Sequence, residues 1–316
     1  MTMTESLKPH AEIAVRSEDG AVLRVRRHGN LRAKLRLYVS HGNGFAIDGY
    51  IHFWRRFLGD FEIVAFDMRS HGHNPPADPA HHGYPHMIAD IDAIGHAVEA
   101  EFGLKPAAGL FHSMSAQAAL LQTMANPGAG GAHFDALVLF DPPNVPAPGH
   151  PVHAAMLAYE HKLAGWAESR RRYFDDPAEL AAGYAATRSG RRWAAGAATA
   201  MARAVLRREG DGFSLACPRE LEAKMYLDGI GLGLWPRRAD VAVPVALIGA
   251  DPDCPFPAAT ALSNRALAEE GGFDYRAIPG TSHLLQLEEP DACAEAALTA
   301  LRRLSSDSRN AGILLP

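Results

Sequence analysis

Ala107-Ala108-Gly109-Leu110-Phe111-His112-Ser113-Met114-Ser115-Ala116 is a short apolar run that stops at a serine. A helix-favouring segment, Ala116 to Met124, follows at once. That order predicts a strand, a sharp turn and a helix, with Ser113 at the apex and its hydroxyl clear of the sheet. The backbone N–H of Met114 then opens the helix and points to where an oxyanion would form. Ser115 and Ala116 are small enough for helix and strand to approach closely. A buried serine that merely caps a helix fits the same decamer, so the rest of the chain decides between the two.

Upstream, Ala11–Arg16 and Ala21–Arg27 flank Asp19-Gly20, a hairpin-turn dipeptide, which predicts two antiparallel strands. Leu35–Ser40 reads as a third strand and runs into His41-Gly42-Asn43-Gly44-Phe45; Phe61–Phe66 reads as a fourth and runs into Asp67-Met68-Arg69-Ser70-His71-Gly72-His73. Pro85–Phe102 has the apolar spacing of an amphipathic helix. Downstream, Ala136–Phe140 is a continuous apolar strand closed by Asp141-Pro142-Pro143. Strands that alternate with helices and are apolar along their whole length predict a parallel sheet covered on both faces. The His41 loop, the Asp67 loop, Ser113 and Asp141 should then share the rim formed by the strands' C-terminal ends.

From Val145 to Asp240 strand signals vanish. Helical segments replace them at Val152–Trp166, Pro177–Ala185, Arg191–Arg208 and Pro218–Leu227. This predicts an all-helical cap, residues 145–240, inserted into a core made of residues 1–144 and 241–316. An insertion at the rim would lie over the site. The sheet resumes at Val243–Gly249. A helix over Ala258–Glu270, a strand around Tyr275–Ile278 and a last helix from Pro290 to Leu304 follow. Ser305–Pro316 reads as a poorly ordered tail.

The chain has 316 residues, 47% of them hydrophobic, and a net charge of -5, which argues against a nucleic-acid partner. Cys217, Cys254 and Cys293 lie far apart, with neither metal-ligand nor disulfide-framework spacing. No stretch is apolar enough to span a membrane, and Met1–His10 lacks the apolar core of a signal peptide. A soluble cytoplasmic protein, monomer or homodimer, is the expectation. His71, His73, His81, His82 and His86 share one loop without carboxylates at the usual spacing, so no metal is expected, and no cofactor either.

The chain resembles the α/β-hydrolase superfamily, a capped serine-esterase-like branch, from Ala11 to about Leu304. Five blocks occur in that family's order. His41-Gly42-Asn43-Gly44 resembles its oxyanion loop, Asp67-Met68-Arg69-Ser70-His71-Gly72 its second turn and His112-Ser113-Met114 its nucleophile elbow. Asp251-Pro252-Asp253-Cys254-Pro255 resembles the acid loop, and Pro279-Gly280-Thr281-Ser282-His283 the histidine loop. The resemblance implies an α/β fold with a mostly parallel eight-stranded sheet flanked by helices. It also implies a triad of Ser113, His283 and an aspartate, with an oxyanion hole formed by the N–H groups of Met114 and Asn43. Asp251 matches the acid motif best, although the run from Gly249 is one residue short; Asp253 and Asp141 are the alternatives. Phe111 and Ser115 depart from the family's G-x-S-x-G, and Phe111 would either narrow the pocket or mark a degenerate site.

A serine hydroxyl becomes a useful nucleophile only when a positioned base takes its proton, and the carboxylate fixes that base's tautomer. The expected activity is cleavage of an ester, thioester, lactone or amide of a small, largely apolar molecule. The alternatives are a C–C bond hydrolase, a cofactor-free lyase or acyltransferase on the same scaffold, or a non-catalytic binding protein. Asp67 and Arg69 read as a turn-stabilising pair, His41 and His112 as structural, and Cys254 as a packed side chain. Trp54, Trp166, Trp193 and Trp235 read as packing groups that a pocket would also suit.

Overall fold

The structure, a computed structural model, describes residues 8–125 and 133–306. Most of the expected tail, from residue 307 on, and most of the N-terminal segment read above lie outside the described residues.

Eleven strands and ten helices are described. The strands are β1 (Ala11–Arg16), β2 (Val22–Gly29), β3 (Arg36–Ser40), β4 (Glu62–Phe66), β5 (Ala107–His112), β6 (Ala136–Phe140), β7 (Tyr173–Phe174), β8 (Leu206–Glu209), β9 (Gly212–Leu215), β10 (Val245–Gly249) and β11 (Asp274–Ala277). The helices are α1 (Ile51–Trp54), α2 (Tyr84–Phe102), α3 (Met114–Ala125), α4 (His153–Ser169), α5 (Pro177–Ala186), α6 (Ala197–Val205), α7 (Arg219–Gly231), α8 (Ala259–Gly271), α9 (Leu285–Glu288) and α10 (Pro290–Ser306).

Eight strands form one sheet in the order β1-β2-β4-β3-β5-β6-β10-β11. Only β2 runs against the others, pairing antiparallel with both β1 and β4. Every residue of β3, β4, β5, β6 and β10 is buried, which is why these strands read as unbroken apolar runs. Their side chains alternate between two cores. Leu37, Val39, Ile63, Leu110, Val138 and Ile248 pack with α1 and α10 on one face. Tyr38, Val64, Phe66, Phe111, Leu139 and Leu247 pack with α2, α3 and α8 on the other. Each such aliphatic side chain contributes roughly 1.5–3 kcal/mol when taken out of water.

Residues 145–240 correct one expectation. They are not all helical, because β7, β9 and β8 form a small antiparallel sheet. The segment expected as one helix, Arg191–Arg208, begins in a 3-10 turn over Gly190–Arg192, is α-helical only over Ala197–Val205 and continues as β8. The cause is a tight hairpin. Glu209 pairs with Gly212, so Gly210-Asp211 forms a two-residue turn, with Gly210 at φ 60°. Within this region α4 packs on α7, and α6 lies against the Ile47–Tyr50 turn that follows the His41 loop.

Candidate active site

Ser113 sits between β5 and α3 at φ 55°, a left-handed conformation that strains a side-chain-bearing residue. Two features hold it there. Its N–H donates to the Phe140 carbonyl at 2.9 Å, and the Ser115 hydroxyl donates to the His112 carbonyl at 3.0 Å while accepting from the His112 N–H at 3.1 Å. Ser115, where the family motif has glycine, therefore braces the turn through its hydroxyl. Phe111 is fully buried on the opposite face of the sheet, edge-on to Phe66 and Phe134. Gly109 makes its room, since a Cβ there would lie 2.3 Å from the Phe111 ring. Phe111 therefore neither lines nor narrows the space in front of Ser113.

His283 bridges two groups. Its Nε2 lies 3.0 Å from Ser113 Oγ, and its Nδ1 lies 2.7 Å from Asp141 Oδ2. This corrects the first choice of acid. Asp251 does not meet His283. It accepts the N–H of Gly280 at 2.6 Å and that of Asp253 at 2.9 Å, so it shapes the turn leading into the histidine loop and is held below the usual carboxylate range by those two bonds. Asp253 has no hydrogen bond to the imidazole either and pairs with Arg265 at 2.7 Å. Asp141 ends β6 at φ 44° with no exposed surface. Its carboxylate also accepts the Ala250 N–H at 3.0 Å, the Asn264 amide at 3.1 Å and the Thr260 hydroxyl. Thr260 and Asn264, four residues apart on α8, are site residues missed by reading the sequence. Two polar residues at helical spacing on a buried face were the available signal.

The His41 loop passes directly beside the elbow. A Cβ on Gly42 would lie 2.9 Å from His112 Nδ1 and 3.1 Å from Ser113 Cβ, so only glycine fits. Neither the Asn43 nor the Met114 N–H has a hydrogen-bond partner among the described residues. The loop is pinned from behind. His71 Nε2 accepts the Gly44 N–H at 3.1 Å, His41 Nε2 accepts the Met68 N–H at 3.0 Å, and the Asn43 side chain donates to the Glu222 carbonyl of α7 at 2.7 Å. Burial pushes His41 down to about 4 and His71 to about 3, so both are neutral acceptors at pH 7. His112 is buried too, with its basicity lowered by desolvation and by neighbouring His283; Tyr50 lies 2.9 Å from its Nδ1, and the His283 carbonyl 2.9 Å from its Nε2.

Asp67 and Arg69 stabilise turns, but not as a pair. Asp67 accepts the Ile47 and His73 N–H groups, whereas Arg69 forks onto Asp90 with two bonds of 2.7 Å and reaches Asp19 at 2.8 Å. Asp19, His81 and His86 place ligand-type atoms close together, but the Asp19 oxygen nearest them is already held by Arg69.

A cavity of about 440 Å³ opens over Ser113 and His283. Phe45, Tyr159, Trp166, Tyr184, Trp193 and Tyr226 supply aromatic walls, and Lys162 is the cation on its lining. Of the four tryptophans, Trp166 and Trp193 line this space. Trp54 is buried in the core, and Trp235 donates to Glu270 at 2.8 Å.

The strand order, the serine elbow at the rim and the histidine loop after the last strand agree with the family comparison. The model of the alpha/beta hydrolase family matches residues 37–296, and the chain belongs to that family. No curated protein matches the sequence. Among solved structures, an E-2-(acetamidomethylene)succinate hydrolase superposes with a TM-score of 0.72 at 18% identity, covering 92% of this chain and 100% of that one. The thioesterase domain from the curacin biosynthetic pathway gives 0.65 at 14% identity, over 91% and 99% of the two chains. A thermophilic esterase from Thermogutta terrifontis gives 0.64 at 15%, over 93% and 99%. At these identities the likeness is one of fold. No helix among the described residues is long and apolar enough to cross a membrane.

Proposed function

We propose that this chain is a serine hydrolase. In this reading Ser113 is the nucleophile, His283 the general base and Asp141 the acid, and residues 145–240 act as a cap over a site for a small, largely apolar ester, thioester, lactone or amide. One observation carries the proposal: the imidazole of His283 spans from Ser113 Oγ at 3.0 Å to Asp141 Oδ2 at 2.7 Å. An ionised Asp141 keeps the proton on Nδ1, so Nε2 is free to accept from serine. Ser113 Oγ attacks the carbonyl carbon and its proton passes to Nε2. The resulting oxyanion lies between the N–H groups of Met114 and Asn43, each worth roughly 3 kcal/mol to the barrier. His283 then protonates the leaving group, and water, activated by the same nitrogen, releases the acyl group from Ser113. The aromatic walls and the size of the cavity support a small apolar substrate. The three cysteines, all free, fit a reducing cytoplasmic setting.

The test is labelling with a fluorophosphonate, followed by peptide mass mapping. An adduct on Ser113, absent in Ser113→Ala and in His283→Ala variants that still fold, is expected. A folded wild-type protein that stays unlabelled, or a Ser113→Ala variant that still turns over esters, would refute the proposal.

A further inference from the structure

A second cavity, of about 950 Å³, shares no lining residue with the one over Ser113. It lies in the seam where β2, the Asp48–Arg55 segment and the Gly72–Pro75 turn face α6 and β8. Five arginines line it, Arg24, Arg26, Arg55, Arg203 and Arg207, against a single carboxylate, Asp48. In a chain of net charge -5 this is a local reversal of sign.

That carboxylate is already committed. Its two oxygens meet Arg26 Nη1 at 2.7 Å and His73 Nε2 at 2.8 Å. Arg24 is paired with Glu12 at 2.8 Å. Of the other four, Arg26 shares Asp48 with His73, and Arg55, Arg203 and Arg207 have no carboxylate partner among the described residues. Arg26 is only 7% exposed, yet its Nε and Nη2 have no hydrogen-bond partner among the described residues. Arg207 gives Nη2 to the carbonyls of Asn74 and Ala216 but leaves its buried Nε unpartnered. Neither Arg55 nor Arg203 has an ion-pair partner among the described residues. Buried donors without acceptors are costly, and a cluster of them beside an open cavity is suited to an anion. Ile51, Trp54, Ala200, Ala204 and Leu206 form an apolar part of the wall, and His52, His73, Asn74 and Thr199 are its other polar members.

We propose that this cavity binds an organic phosphate monoester, with the dianionic phosphate held by Arg55, Arg203, Arg207 and the unpartnered donors of Arg26, and the apolar body laid against Ile51 and α6. Guanidinium forks match phosphate oxygens in pairs, and so many uncommitted cations exceed what one carboxylate would balance. The bound molecule would join the core, through Arg26 and Arg55, to the inserted region, through Arg203 and Arg207. The site is independent of the chemistry proposed at Ser113.

The experiment is calorimetric titration at pH 8 with phenyl phosphate, inorganic phosphate and benzoate. It uses the wild type, Ser113→Ala, the double variant Arg55→Ala/Arg203→Ala and the charge-matched control Arg208→Ala/Arg276→Ala. Phenyl phosphate is expected to bind more tightly than either other probe, equally well to wild type and Ser113→Ala. Binding to the Arg55/Arg203 variant should be at least about tenfold weaker, and binding to the control unchanged. Ala200→Phe, which fills the cavity and keeps every arginine, should weaken phenyl phosphate more than inorganic phosphate, and it decides the matter if the double variant does not fold. No binding of phenyl phosphate at millimolar concentration, benzoate binding as well as phenyl phosphate, or equal loss in the two arginine doubles would overturn the proposal.

Discussion

Replacing Asp141 by asparagine tests the proposed acid at the level of single hydrogen bonds. Oδ1 faces two donors, the Ala250 N–H and the Asn264 amide; Oδ2 faces the Thr260 hydroxyl and His283 Nδ1. An amide NH2 at the Oδ1 position would oppose the Ala250 main-chain N–H, which cannot turn round, and the Asn264 amide, whose nitrogen is held in place by the Pro142 and Thr260 carbonyls. At the Oδ2 position it meets a hydroxyl that can rotate to accept. The substituted side chain therefore settles with its nitrogen towards His283, whose Nδ1 must become the acceptor and whose proton moves to Nε2. In that tautomer the imidazole cannot take the serine proton. A fall of about 10³–10⁴-fold in kcat/KM is expected, or about 4–5.5 kcal/mol of lost transition-state stabilisation. Asp251→Asn disturbs only a turn and should cost no more than about tenfold. The assay is hydrolysis of p-nitrophenyl esters, with thermal melts to show that both variants fold. An active Asp141→Asn beside an inactive Asp251→Asn would refute the reasoning.

His71→Ala removes the acceptor that holds the Gly44 N–H; a drop in kcat of about 5–30-fold with little change in KM is expected from steady-state kinetics. Buried His28 and His41 fall to about 4, and His71 and His82 to about 3. The unfolded chain binds these protons first, so stability is full above about pH 6.5 and falls as pH drops towards 4, by about 1.4 kcal/mol per unit for each histidine; urea melts from pH 7 to 5 check this. Glu160 has the opposite sign. Burial raises its carboxyl to about 8, and one of its oxygens lacks a partner among the described residues. The stability it contributes protonated is lost as pH rises from about 4.5 to 8, so Glu160→Gln should raise Tm at pH 8 and not at pH 5. Gly109→Ala should destabilise by about 1–3 kcal/mol through the clash with Phe111, and Phe111→Leu should relieve part of it in a double-mutant cycle read by denaturant unfolding.

The core strands are legible because burial on both faces leaves an unbroken apolar run, and the rim loops because each follows such a run. The loops that bring Ser113 and His283 into contact are legible that way. The carboxylate that meets His283 is not, for a physical reason: Asp141-Pro142 and Asp251-Pro252 both follow buried strands, and their local sequences look alike. What separates them is the partner of each carboxylate, which depends on the packing of α8 for Asp141 and on the Gly280 turn for Asp251. Phe111 raises a concern that side alternation along β5 resolves, since its neighbour His112 lines the cavity and Phe111 therefore points to the other face. The β8–β9 hairpin escapes notice because its strands are only four residues long and β8 is mostly charged, and the Gly210-Asp211 turn is the signal for it.

The bond from the Asn43 side chain to the Glu222 carbonyl has a bearing on engineering. Ser113, His283 and Asp141 all stand on the sheet's own rim, and His112 ties the histidine loop to the elbow, so those three groups would survive exchange of residues 145–240 for a foreign segment. The Asn43 loop would not keep its anchor, because that anchor is main chain of the exchanged piece. A chimera must therefore bring a carbonyl to the same spot, or it inherits the proposed nucleophile and base with a slack Asn43 loop. In the proposed reading, exchanging residues 145–240 for new selectivity is also an edit of the oxyanion loop.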